Sequence, residues 1–341
     1  MSRWIALSIL ITGCVPSSNG GNGDPQDNPS DTDTDPNGIP DDTDSDTDTD
    51  TDEPDLGTLP WERMNPDCDA GVELPAPFTV HHFVDPHEDF TFSADGYLVG
   101  VFAGALQKMP FGGPKEILVP GLLDVRGTRY LADGRMALAD STNQALRLVD
   151  PNTGATEILA GGLTNPNGIA IGYDGWIYVT VQGKVVRAHP DTKEVETFIN
   201  LPGNSFDGIT FSQDYRYLYF NEEFGAVHRV EIGADGYAVD NGIEIPMPVG
   251  PLSILDGMTA DACGNLYVLD MVGKVFRVTP DGQVDVAVNL QGQGAFTPSL
   301  NFGPGTGGYE AETLYVMDFL GKLFEVPIGI PGKWEPHLPI P

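Results

Sequence analysis

Residues 255–270, LDGMTADACGNLYVLD, carry two separate signals. The second half is a tight turn feeding a β-strand: glycine accepts the turn geometry, and NLYVLD has the apolar, aromatic and β-branched residues that favour a pleated surface. The first half opens on Asp256-Gly257, eight residues before Gly264, where no turn former is needed. The same arrangement recurs along the chain. EDFTFSADGYLVGVF starts at Glu88, RGTRYLADGRMALAD at Arg126, NGIAIGYDGWIYVTV at Asn167 and DGITFSQDYRYLYFNE at Asp207. A sixth copy, NFGPGTGGYEAETLYVMD from Asn301, has an insertion in its turn.

These anchors are spaced by 38, 41, 40, 49 and 45 residues, the length of one four-stranded propeller blade. Most copies are followed by a further strand, as in GKVVRAHPDT, GAVHRVEIG, GKVFRVTPDG and GKLFEVPIG. The 42 glycines and 29 prolines among 341 residues, with no long helical periodicity, point to an all-β protein rich in turns. The expected fold is a six-bladed β-propeller. LPAPFTVHHFV, at 74–84, is placed to supply the last strand of the sixth blade and close the ring.

In a propeller the innermost strands line a central channel, so residues at one register in every blade converge on its mouth. Glu88, Asn167, Asp207 and Asp256 are therefore expected neighbours. Three carboxylates and an amide facing one point repel one another unless a cation sits between them. An all-oxygen set selects a hard ion, and a ring of this width suits one axial Ca2+ better than magnesium; zinc is not expected, because no histidine or cysteine falls at these positions. Arg126 holds the blade-two anchor, where it either binds an anionic group of a substrate or pairs with the acidic ring. For Asn301, lining the mouth and supporting the sixth blade are both open. The aromatic residues at strand positions read as packing between blades, and the six scattered histidines, among them His81, His82 and His228, as structural.

The N-terminal part is different in kind. Residues 1–13 read as an export signal, and ITGC at 11–14 resembles the lipobox of bacterial lipoproteins, which makes Cys14 the expected lipidation site. Residues 14–59 follow as a disordered linker, with 14 acidic residues and no Lys or Arg. Within it Asp33, Asp35, Asn37, Gly38, Asp41 and Asp44 have calcium-loop spacing. The loop lacks the terminal glutamate and flanking helices, so a solvated spacer is the preferred reading. The propeller is expected over 60–341. A formal charge of −33 speaks against nucleic acid as a partner. In an exported chain the remaining cysteines, Cys68 and Cys263, are expected to pair; the rival reading makes Cys68 a nucleophile. No GxSxG, HExxH or P-loop occurs.

At the Glu88-Asp89 segment, at PNGIAI (166–171) and at LDGMTADACGNLYV (255–268), the chain resembles the six-bladed propellers of the gluconolactonase, senescence-marker-protein and luciferin-regenerating-enzyme family. The resemblance spans about residues 75–330. It implies a divalent cation held by Glu88, Asn167, Asp207 and Asp256, with Asp207 standing where the family usually has Asn. It also implies a calcium-dependent hydrolase of the lactonase or esterase class, acting on a small lactone or ester. Asp256 or Asp207 would be the reactive carboxylate. The alternative is a non-enzymatic envelope propeller that binds a glycan or protein partner around a structural calcium, or a propeller nearer the strictosidine-synthase-like or NHL types. In either case a monomer is expected at the cell envelope, touching the membrane through its lipid anchor alone.

Overall fold

Strand-forming runs separated by glycine turns assemble into six four-stranded antiparallel sheets in the computed structural model, which describes residues 59–341 apart from Pro86, Pro251 and Leu252. Cys14, the calcium-loop residues and the rest of the expected linker up to residue 58 lie outside the described residues. Blades one to five are built from consecutive strands within 90–120, 125–161, 169–200, 206–246 and 255–289. The sixth combines three strands within 299–327 with Thr79–His81 from the N-terminal lead. That lead strand pairs with Leu323–Pro327, matching Thr79 to Glu325 and His81 to Leu323, so the ring is closed by strands from its two ends as expected.

The turn glycines explain why the repeat is so regular. Gly96, Gly134, Gly175 and Gly264 all adopt positive φ between the first and second strands of their blades, a region open to glycine at little cost. Blade four puts Tyr215 there at φ 57°, a strained choice for a bulky residue. The surroundings hold it: Tyr215 is buried and donates a hydrogen bond to the Trp334 carbonyl at 2.8 Å. Between blades the core is aromatic and aliphatic. Tyr178 meets Phe198 and Phe211 edge-on, each at 5.1 Å, and Tyr267 and Tyr315 are fully buried at the matching positions of blades five and six.

Each inner strand runs from its anchor down to its turn, so the turns mark the end of the channel opposite the mouth. The C-terminal segment crosses that end. The backbone N–H groups of Ala262 and Lys333 donate to the Pro331 and Ala260 carbonyls, His337 bonds the Phe92 carbonyl at 2.9 Å, and its ring stacks on Tyr130. Lys333 is buried there, its ammonium 2.6 Å from Glu335 and 4.7 Å above the Tyr215 ring. A short helix, Pro60–Arg63, lies on the same end, with Trp61 against Tyr173 and Tyr215. Just beyond it, Cys68 and Cys263 form the expected disulfide, with Cα atoms 5.7 Å apart, tying the lead to the turn of blade five.

That bond closes a loop with a sequence separation of 195. On the chain-entropy account such a cross-link contributes up to about 5 kcal/mol. The Cys68→Ser, Cys263→Ser protein should therefore unfold at clearly lower denaturant than the oxidised wild type. Coincident unfolding midpoints would show that the lead is held without it.

Candidate metal centre

The anchor residues do not lie in regular ladder. In blades two, four and five the pairing of the first two strands shifts between Val125 and Thr128, Phe206 and Ile209, and Leu255 and Met258. Each shift falls on an anchor and the glycine after it: Arg126-Gly127, Asp207-Gly208 and Asp256-Gly257. A bulge of this kind re-aims a side chain. The glycine is needed for space rather than for conformation, since none of these glycines has positive φ. A methyl group on Gly127, Gly168, Gly208 or Gly257 would come within 3.0 Å of the carbonyl oxygen of Asn167, Asp207, Asp256 or Pro298, respectively. Each inner strand thus abuts the anchor of the next blade. The backbone N–H groups of Gly168 and Gly257 use the contact to donate to the Asp207 and Pro298 carbonyls, at 3.2 and 3.1 Å. From the second strands, Thr180 donates to the Asp207 carbonyl at 2.6 Å and Asn221 to that of Asp256.

This chain of contacts corrects the register of the sixth blade. Gly257 meets Pro298, and Leu300 pairs with Val316 as Ile209 pairs with Phe220 two residues after its own anchor. Pro298 therefore occupies the sixth anchor position, three residues before Asn301. Asn301 supports the blade junction instead, its amide donating to the Phe90 carbonyl at 2.5 Å. The insertion between the strands, and a proline that looks nothing like the other anchors, hid this register in the sequence.

At the mouth the structure brings Glu88, Asp207 and Asp256 into electrostatic contact, while Asn167 abuts Gly127 through its backbone carbonyl. Asn167, Asp207 and Asp256 are buried, and Glu88 is half-buried. The carboxyl groups of Asp207 and Asp256 lie within hydrogen-bond reach of each other, and both feel the charge of Glu88. Burial pushes the Glu88 carboxyl up from 4.5 to about 7, with the Arg126 guanidinium acting against the shift. Burial and the neighbouring carboxylates raise Asp207 and Asp256 as well. Arg126 is held at the rim by Asn165, 2.6 Å from its guanidinium, with Asp124 at 3.6 Å. It is close enough to stabilise the ionised forms of Glu88 and Asp207.

Two carboxylates at this end were not singled out in the sequence. Asp89 fills the place of the anchor glycine in blade one. It accepts from the Thr128 N–H and from Arg129 in blade two, at 2.8 and 2.6 Å, and from Ser299 in blade six at 2.6 Å. It is a three-blade staple, and the one readable signal for it is an acid where blades two to five have glycine. Glu223 adds a further negative charge near Asp207 and accepts a 2.5 Å hydrogen bond from Ser205.

Six blades around a channel, with Glu88, Asp207 and Asp256 clustered at one end of it, define the class: a six-bladed propeller with an acidic mouth. No family model and no curated protein matches the sequence. Solved structures do match the fold. A gluconolactonase from Xanthomonas campestris is 19% identical with a TM-score of 0.61, over 74% of this chain and 89% of that one. Regucalcin from Agrobacterium tumefaciens, a calcium-binding protein, is 19% identical with a TM-score of 0.61, over 75% and 94%. A luciferin-regenerating enzyme is 15% identical with a TM-score of 0.59, over 77% and 99%. Those proteins share the six-bladed architecture with this chain.

Raised carboxyl values have a stability consequence. Such groups contribute fully below their unfolded values and lose that contribution as pH rises through the folded ones. For Glu88 the window runs from 4.5 to about 7, and Asp207 and Asp256 shift in the same upward direction. His87 and His337 are lowered by burial and act oppositely, but only below their ordinary 6.5. With chelator present, melting temperature should fall from about pH 6.5 to about pH 8.5. Glu88→Gln with Asp256→Asn should flatten that fall, and an unchanged slope in the double variant would assign it elsewhere.

Proposed function

We propose that the protein is a calcium-dependent hydrolase of the lactonase or esterase class, working at the propeller mouth. One observation carries the proposal. Glu88, Asp207 and Asp256 are brought into mutual electrostatic contact in a largely buried setting, and Arg126 is the one positive group among the causes that act on Glu88 and Asp207. Like charges so arranged cannot all ionise near neutral pH unless a cation joins them. Three carboxylates and the Asn167 amide offer oxygen alone, which fits a hard divalent ion such as calcium. The gluconolactonase and regucalcin likenesses support this reading at the level of a lactonase-type propeller.

Glu88 and Asn167, each two residues ahead of an inner strand, would act purely as ligands. When bound, calcium would supply electrophilic polarisation of an ester or lactone carbonyl. The residues of the chain supply the rest. Asp256, whose proton affinity is raised by burial and by Asp207, is suited to take the proton of an attacking water. Water adds to the carbonyl carbon, the ring or ester C–O bond breaks, and the leaving oxygen takes a proton, giving a hydroxy acid or an acid and alcohol. Arg126, pinned by Asn165, would orient an anionic or strongly polar group of the substrate. Asp207 is assigned as a ligand. A third carboxylate tightens the ion yet neutralises it, which trades electrophilic strength for affinity.

Purified full-length protein screened against lactones, aryl esters and phosphotriesters, with calcium and with chelator, tests the proposal. Calcium-dependent turnover of a lactone or aryl ester is expected. Asp256→Asn should lower kcat by about a hundredfold or more. Asp207→Asn should weaken calcium binding while leaving or raising turnover at saturating calcium. Turnover that ignores calcium, or that survives Asp256→Asn while Asp207→Asn abolishes it, would reject the assignment.

A further inference from the structure

A second group of ligating side chains lies on blade four, outside the channel. Glu222 ends the second strand (Tyr217–Glu222), His228 sits in the third (Ala226–Glu231), and Glu244 in the fourth (Ile243–Pro246). His228 stands directly opposite both Phe220 and Glu244 in the antiparallel ladder. Residues paired this way project from one face of the sheet, and Glu222, two residues beyond Phe220, joins them. A ligand atom from each of Glu222, His228 and Glu244 lies within 4.8 Å of the others.

Packing fixes the imidazole. His228 is 3% exposed, stacked on the Phe220 ring at 5.0 Å and 9°, with the edge of Phe206 at 5.6 Å. Its Nε2 is 2.8 Å from Glu222 Oε1, and that same oxygen accepts from the Asn204 amide at 2.5 Å. Among the described residues, the other Glu222 oxygen and both oxygens of Glu244 have no hydrogen-bond partner, and neither carboxylate has a Lys or Arg ion pair. One carboxylate therefore holds a rigid imidazole and a second, unbonded one stands within 4.8 Å, with coordinating capacity left over.

We infer that Glu222, His228 and Glu244 form a second metal site, for a borderline divalent ion of the zinc class rather than for calcium. Imidazole nitrogen with two carboxylate oxygens is a donor set for zinc or cobalt, whereas calcium takes oxygen alone. Zinc–donor bonds of about 2.0–2.2 Å place neighbouring donors roughly 3.3 Å apart, so the exposed Glu244 carboxylate has to close by about 1.5 Å at most. Three protein ligands leave the fourth position to water, through the exposed side of Glu244. Phe206 separates this site from the channel: its ring stands against His228, while its neighbour Asp207 belongs to the mouth. The charges agree, because two carboxylates and a neutral imidazole around a divalent ion balance to zero.

Cobalt(II) is the probe that distinguishes this site from the all-oxygen mouth and from the acidic N-terminal stretch. A cobalt-bound imidazole gives a strongly shifted, solvent-exchangeable proton resonance that oxygen ligands cannot produce. Full-length protein titrated with cobalt should show that resonance, and His228→Gln should remove it. Glu244 is exposed, so Glu244→Gln keeps the test independent of core packing. That variant should melt like wild type without metal and bind zinc at least tenfold more weakly by calorimetry. Absence of the shifted resonance, its persistence in His228→Gln, or unchanged zinc affinity in Glu244→Gln would overturn the site.

Discussion

The contact between one blade's anchor glycine and the next blade's anchor carbonyl is the constraint on which the mouth depends. At Gly127, Gly168, Gly208 and Gly257 there is no room for a methyl group. The inner strands can therefore approach until the anchor carbonyl of each blade nearly touches the backbone of the one before. That approach sets the radius of the ring, and the radius decides whether Glu88, Asn167, Asp207 and Asp256 can share one ion. A larger residue at any of these positions would push two blades apart and open the ligand set with them. Thr180 and Asn221 reinforce the same carbonyls from the second strands, so anchor placement and blade packing are one arrangement.

The two ends of the channel are treated differently by the fold. The turn end is crossed by the C-terminal segment and the short N-terminal helix, with Trp61, Tyr215, Lys333 and His337 packed among the turns. Burial of Lys333 lowers the proton affinity of its ammonium, and Glu335 acts to restore it. At the anchor end, by contrast, acidic side chains face one another with the positive charge of Arg126 at the rim. Electrostatic demand for a cation is concentrated at that end, and so is the chemistry proposed for it.

Much of this was legible in the sequence for a physical reason. A blade needs the same turn, the same anchor and the same strand pair every 38–49 residues, and that repetition survives in the residues themselves. Ring closure by 79–81 and pairing of Cys68 with Cys263 were readable from strand pattern and cysteine count. The bulges at the anchors of blades two, four and five were not, because a glycine following the anchor residue looks like a turn. The sixth anchor was misplaced because Pro298 supplies none of the repeat's chemistry and an insertion breaks the spacing. Asp89 was read as part of a motif rather than as a staple, since its partners Thr128, Arg129 and Ser299 come from other blades. The Glu222, His228 and Glu244 group depends on cross-strand register, which spacing alone does not encode.

The proposed chemistry rests on one divalent cation at the propeller axis, held by side chains from four blades. It is tested most directly by locating the ion. Crystals of the protein grown with calcium and then exchanged into manganese should give a single strong anomalous peak at the mouth. That peak should lie at about 2.1–2.6 Å from oxygens of Glu88, Asn167, Asp207 and Asp256, the range for hard cations and oxygen donors. A mouth without anomalous density at saturating manganese, with these four side chains ordered, would contradict the account.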